Sequence, residues 1–283
     1  MRRRRTAPDF LTDVRIAARF GHPDALDEVL GRLLQDRAIA ANRTLPSTRV
    51  QRELVPVGQA LAQGAVPDAY LFSLAESPYA AYRAIAAAAL AHRQAQNRDE
   101  ARQAVLERLA RDARDEVHVA LAQTLAQVPA SPALRAWLQD WLTRAQPPVS
   151  PRARALALRV APRVFSPQAL WARLPTVPDA GDARVQDALV EAFQAAARRA
   201  PQQAMDQLRA WWREGRWPPA LIARAMSGPW LLTVTPQGLE LLAELYRRYG
   251  RRRWLTQPLK MLAREGAISD VDALLRSWEE GGS

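Results

Sequence analysis

One short pattern recurs along this chain at nearly constant spacing. Tyr82-Arg83-Ala84-Ile85 aligns with Val117-His118-Val119-Ala120, then with Ala153-Arg154-Ala155-Leu156 and Val185-Gln186-Asp187-Ala188. The offsets are 35, 36 and 32 residues, and a weaker fifth copy begins near Leu221, 36 residues further on. In each copy an apolar residue precedes Arg, His or Gln, and small and apolar residues follow at helical spacing. A period in the thirties holds two helices and a turn. One helical hairpin cannot bury both of its faces, so successive copies must lean on one another. The repeat therefore predicts stacked hairpins in an elongated array rather than a globule with one deep pocket.

The local signals agree with that reading. Alanine, leucine, arginine, glutamine and glutamate dominate, and all favour helix. Gly and Pro fall between the periodic segments as punctuation. Helices are expected over 9–20, ended by Gly21; from Pro23 to about Ala41; and over 47–63, broken or kinked at Pro56. A short helix starts at Pro67. The regular part then places helices near 78–95, 98–111, 114–127, 131–144, 150–164, 167–174, 182–199, 201–214, 218–226, 236–249, 252–265 and 269–279. Ser77-Pro78, Ser131-Pro132, Ser150-Pro151, Ser166-Pro167 and Thr235-Pro236 each set a capping hydroxyl before a proline suited to the first helical position. Strand signals are nearly absent. The run Trp230-Leu231-Leu232-Thr233-Val234 reads as an extended connector.

Several classes are disfavoured by composition. Apolar residues make up 48% of the 283, yet no stretch approaches the ~20 uninterrupted apolar residues of a membrane span. The run Ala84 to Ala91 is mostly alanine, which suits tight helix packing better than lipid. Asp9 and Asp13 follow Arg2 to Arg5 at once, so the start does not read as a secretory signal, and a cytoplasmic protein without membrane contact is expected. Cysteine is absent and only His22, His92 and His118 are present. A thiolate centre is excluded and a histidine-rich metal site is not expected. No phosphate-cradling glycine loop, nucleophile elbow or His-Glu-x-x-His motif occurs, so no metal, cofactor or catalytic residue is assigned.

Charge points outward, to partners. The formal net charge is +11, and 39 of the 40 basic residues are arginine, Lys260 being the exception. Residues 1–50 carry ten basic and six acidic groups, and 151–200 carry eight against four, whereas 51–100 carry four against five. A positive surplus spread in patches suits an anionic partner, whether acidic protein or nucleic acid.

The segment Arg111 to Leu125 resembles the HEAT-repeat family: an acidic loop, then a Val-Arg-like pair, then small and apolar residues ending in leucine. Arg83, His118 and Arg154 occupy that family's arginine position, and Gln186 departs from it. The resemblance covers roughly residues 78–226. It implies an all-α fold, a right-handed α-solenoid of HEAT-like hairpins, with a concave face of the kind that binds proteins or nucleic acid. Residues 1–8 then form a basic disordered tail, 9–76 an irregular helical cap, 77–227 the repeats and 228–283 a second cap, all in one continuous array. The resemblance also implies an inter-repeat ladder through Arg83, His118, Arg154 and Gln186, with Asp112, Asp115 and Asp182 as acidic partners in the turns.

Two further clusters carry chemical possibilities. Tyr246-Arg247-Arg248-Tyr249-Gly250-Arg251-Arg252-Arg253-Trp254 interleaves guanidiniums with rings. Arg247, Arg248, Arg251, Arg252, Arg253 and Trp254 are thus candidate nucleic-acid contacts, since guanidinium neutralises phosphate and rings offer stacking faces. The same arginines would also complement the dipole of a helix ending at Gly250. The nine tryptophans suit core or inter-repeat packing. HEAT-like alkylpurine DNA glycosylases offer the alternative, a family similar in combining this architecture with tryptophans and an aspartate; Trp137, Asp140 and Trp211 would take those parts. The expected function is that of a non-catalytic scaffold or adaptor with a partly basic surface for a protein partner. Nucleic-acid binding stands beside it as the alternative.

Overall fold

In the computed structural model, residues 7–36 and 44–280 are described, and they contain no strand. The Arg2 to Arg5 tail and the expected end of the second helix lie outside them. The chain divides into two compact units, Met1–Ala153 and Arg154–Ser283.

The first unit opens with α1 (Ala7–Phe20) and α2 (Pro23–Asp36). A short α3 (Ser47–Arg49) runs through a π-helical stretch, Val50–Leu54, into α4 (Val55–Gln63), which has Pro56 in its first turn. Pro56 lies just past that π-helical turn and has no N–H to bond back into it, so the disturbance expected at Pro56 falls on the residues before it. Then come α5 (Asp68–Glu76), α6 (Ala80–Gln96), α7 (Glu100–Leu109), α8 (Asp115–Gln127) and α9 (Pro132–Thr143). Helix α6 is the centre of this unit and packs against α4, α5, α7, α8 and α9. Every residue from Ala84 to Ala91 is wholly buried. Small side chains let neighbours approach closely, and Gly58 takes this furthest. A methyl group built on it would sit 2.6 Å from the Ala88 Cβ and 2.6 Å from the Ile85 carbonyl oxygen.

The unit boundary falls within α10 (Pro151–Val164). Beyond it lie α11 (Pro167–Trp171), a 3-10 turn at Leu174–Thr176, α12 (Ala183–Ala197), α13 (Pro201–Arg213) and α14 (Pro219–Ala225). A second 3-10 segment, Pro229–Val234, leads into α15 (Thr235–Tyr249), α16 (Arg253–Arg264) and α17 (Val271–Glu280). Here α12 packs on α14 and α14 on α16, while α13 packs on α15 and α15 on α17. The core is aromatic. Trp171, Trp211, Trp217 and Trp230 surround Phe193 with ring centroids 5.7–6.0 Å away.

Side-chain bonds between helices recur at separations of about one repeat. In the first unit, Arg93 crosses to the end of α4 and donates to the carbonyls of Leu61, Ala62 and Gly64. These are carbonyls at the helix end, where the regular i to i+4 ladder runs out; that of Leu61 also accepts from the Gly64 amide. In the second unit, Arg199 does the same for α10, donating to the carbonyls of Pro162 and Phe165. Ser131 donates to the Ala95 carbonyl, and Gln194 to that of Arg224.

Two start signals act differently from expectation. Ser131 and Ser166 do cap, accepting from Leu134 and Ala169, and Ser150 accepts from Ala153 at 3.2 Å. Ser77, however, accepts from the Tyr79 amide in a turn, and α6 begins only after Tyr79. Thr235 is already helical, continuing from the 3-10 segment, so its hydroxyl donates back to the Leu231 and Leu232 carbonyls. That segment also corrects the extended reading of 230–234. Pro229 fixes a helical φ, and the Trp230 indole donates to the Ala225 carbonyl at 3.0 Å, which tucks the ring under the turn.

Candidate functional site

The four residues at the repeated position grip two loops. In the first unit the loop is 110–114, between α7 and α8. Arg83 reaches it from α6 with a two-pronged bond to Asp112, Nε to Oδ2 at 2.6 Å and Nη2 to Oδ1 at 3.1 Å. His118, in α8, holds the same residue from the other side, its Nε2 2.7 Å from the Asp112 carbonyl oxygen. Arg152 also donates to that carbonyl at 2.8 Å. In the second unit the loop is 178–182. Arg154, almost wholly buried, pairs with Asp179, and Gln186 donates to the Ala180 carbonyl at 2.9 Å. In each loop, then, an arginine arrives from an earlier helix, α6 or α10, with another helix between it and the loop in sequence, and a shorter polar side chain comes from the helix that follows the loop. Asp115 and Asp182 play other parts: Asp115 is exposed, and Asp182 caps α12.

Electrostatics follow from this geometry. Burial opposes ionisation of Asp112, but the Arg83 fork and the Arg114 amide outweigh it and hold the carboxyl below its ordinary range. Glu116 behaves alike: burial raises its pKa, and bonds from Arg114 and from the Leu45 amide bring it lower still. His92 is pushed down by burial and by Arg93.

Trp137, Asp140 and Trp211 sit in structural surroundings. Trp137 and Trp141 are wholly buried, edge to face at 5.0 Å. Asp140 accepts from Gln103 at 2.7 Å and pairs with Arg144. Trp211 belongs to the core around Phe193. Neither Trp137 nor Trp211 offers a ring face to solvent. Among the described residues no group of three or more His, Asp or Glu could hold a metal ion, and no helix is long and apolar enough to cross a membrane.

The exposed face lies at the end of α15. Leu245 and Tyr246 turn inward and Arg247 and Arg248 outward, as a helical step of 100° requires. Gly250 ends the helix with φ +67°, a conformation costly for any side chain with a Cβ. Arg247 and Arg248 thus meet the negative end of the helix dipole. Tyr249 stands between two tryptophans, 5.9 Å from Trp212 of α13 and 6.0 Å from Trp254 of α16, each edge to face. All three rings are half-buried. The Arg248 guanidinium lies over Trp212 at 5.2 Å and Tyr249 at 5.8 Å, within cation–π range.

The remaining arginines divide. Arg251 pairs with Asp272 at 2.8 Å, an exposed contact of small energetic weight. Arg252 donates to the Tyr249 carbonyl at 3.1 Å. The guanidiniums of Arg247 and Arg253 have no hydrogen-bond or ion-pair partner among the described residues. Arg252 and Arg253 also stand at the start of α16, which has no side-chain cap and no acidic residue in its first turn. Cations there oppose the helix dipole. The structure therefore brings together Arg248, Arg252, Trp254 and the ring of Tyr249, and adds Trp212. Trp212 is not among the candidates read from the sequence, where only its neighbour Trp211 is named. A 100° step between them was the available signal: one faces the core, the other its edge.

In comparison with known proteins, no family model, no curated protein and no solved structure matches the chain.

Proposed function

We propose that this chain is a non-catalytic, HEAT-like scaffold or adaptor that works in the cytoplasm and presents a partly basic surface to a macromolecular partner in a larger assembly. The architecture proposed is a right-handed α-solenoid. In favour of the repeat are the two loops gripped alike and the recurrence of bonds such as Arg83–Asp112, 29 residues apart, and Arg199–Pro162, 37 apart. One observation carries the functional reading. The α15–α16 end sets Arg247 and Arg253, exposed and without a side-chain partner, beside the half-buried rings of Trp212, Tyr249 and Trp254. A surface set on packed helices loses little ordering entropy when it binds.

Affinity capture from a host extract tests this, with and without nuclease, comparing the parent chain with Arg247→Glu/Arg253→Glu. Expected is a stoichiometric partner held by the parent and lost by the variant at physiological salt. Equal yield from a folded variant removes this surface from the proposal.

A further inference from the structure

We infer that the cluster of Trp212, Tyr249 and Trp254, with Arg247, Arg248, Arg252 and Arg253 beside it in the α15–α16 region, is a binding site for single-stranded nucleic acid. The inference deepens the proposed function and rests on its assumption of an anionic partner. Charge alone does not choose between an acidic protein and a nucleic acid; the rings do. Trp211, next in sequence to Trp212, is almost wholly buried in the core. Trp212, Tyr249 and Trp254 instead stay part-exposed, with Tyr249 edge to face against each tryptophan at 5.9 and 6.0 Å. A salt-bridged contact with an acidic segment needs only the guanidiniums, and a protein interface anchored by Trp, Tyr and Arg needs an apolar partner surface to fill. Unpaired bases use the guanidiniums and the rings together. The rings offer stacking surfaces for bases, and the exposed guanidiniums reach the phosphates between them.

Arg248 strengthens the case. Its guanidinium lies over Trp212 and Tyr249, so its own outer plane extends the platform. Planar guanidinium is itself a surface on which bases stack. A duplex hides its base faces, so it would meet only the charges. The cations at the start of α16, Arg252 and the unpaired Arg253, fit the same picture, because a phosphate there would offset an otherwise unfavourable arrangement. Arg251 differs from Arg247 and Arg253 in having an exposed ion-pair partner, Asp272. Stacking on rings accepts any base, so binding is expected to tolerate sequence.

The test uses the full chain and a fluorescein-labelled oligo(dT) of twenty residues. Anisotropy gives affinity across 50–200 mM NaCl, and intrinsic fluorescence reports stacking on the indoles. Heparin, polyglutamate and a duplex of equal length serve as competitors. Oligo(dT) is expected to bind with indole quenching. Trp254→Ala is expected to weaken it about tenfold while leaving heparin binding unchanged, and Trp254→Phe to restore most of the loss. Each of Arg247→Gln and Arg253→Gln is expected to flatten the slope of log K against log salt by about 0.7. The inference is overturned if heparin competes as well as oligo(dT) without quenching, if the duplex binds as tightly as the single strand, or if polyglutamate binds best. The last result would assign the surface to an acidic protein. Should Trp254→Ala fail to fold, Trp254→Phe and the arginine variants decide. A nuclease-resistant partner captured by a chain that ignores oligo(dT) would sink this inference and leave the scaffold reading standing.

Discussion

Asp112 is the residue on which the first unit's repeat contacts converge. Its carboxylate takes the Arg83 fork and the Arg114 amide, and its carbonyl takes Arg152 and lies beside His118. Asp112→Ala leaves a half-buried guanidinium uncompensated, which costs about 2–3 kcal/mol. Asp112→Asn keeps an acceptor for the amide and is expected to cost less. Urea denaturation of both variants checks the order, and the double change Arg83→Ala/Asp112→Ala should cost less than the two singles added. The pH dependence has a definite sign. Asp112 and Glu116 have folded pKa values below the ordinary values of about 3.9 and 4.3. Their contribution is present above those values and is lost as pH falls through about 4 and lower. His92, also lowered, begins to oppose folding as pH falls below its ordinary value of about 6.5. Stability is therefore expected to rise from pH 3 to pH 7 in chemical denaturation, with a shallower rise near pH 4 in Asp112→Asn.

At the level of helices, Gly58 sets how closely α4 approaches α6. Replacing a mid-helix glycine with alanine ordinarily gains up to about 1 kcal/mol. Here the new methyl would lie 2.6 Å from a carbonyl oxygen of α6, which cannot swing aside as a side chain would. Overpacking of this kind costs about 1–3 kcal/mol, so Gly58→Ala is expected to lower the melting temperature and Gly58→Val to lower it further. Helices were the most legible part of the sequence, since apolar period and proline punctuation act locally. The limits of α12, expected over 182–199 and found at Ala183–Ala197, differ by a residue or two. The misses have tertiary causes. Residues 230–234 look extended because β-branched and aromatic side chains crowd them, yet they form a 3-10 turn against α13, α15 and α16. The site was half legible. The density of arginine and rings in 246–254 was plain, but its third ring comes from another helix, and one arginine is bound to Asp272 on α17. Neither partner has a signature near the motif.

The whole molecule carries a net charge of +11. Self-repulsion on that scale disfavours the compact state and is screened once the Debye length shrinks to about 10 Å at 0.1 M salt. Raising NaCl from 10 to 150 mM is expected to raise the melting temperature, the reverse of what a fold resting on exposed ion pairs would show. Differential scanning fluorimetry in non-coordinating buffers measures it. The indole pair of α9 has one more use. Trp137 and Trp141 are the first unit's only tryptophans, and the other seven lie in the second. Emission from this protein is thus already divided by region. Replacing that pair with phenylalanine would leave only reporters beyond residue 153, so the melting of each half could be timed by its own light.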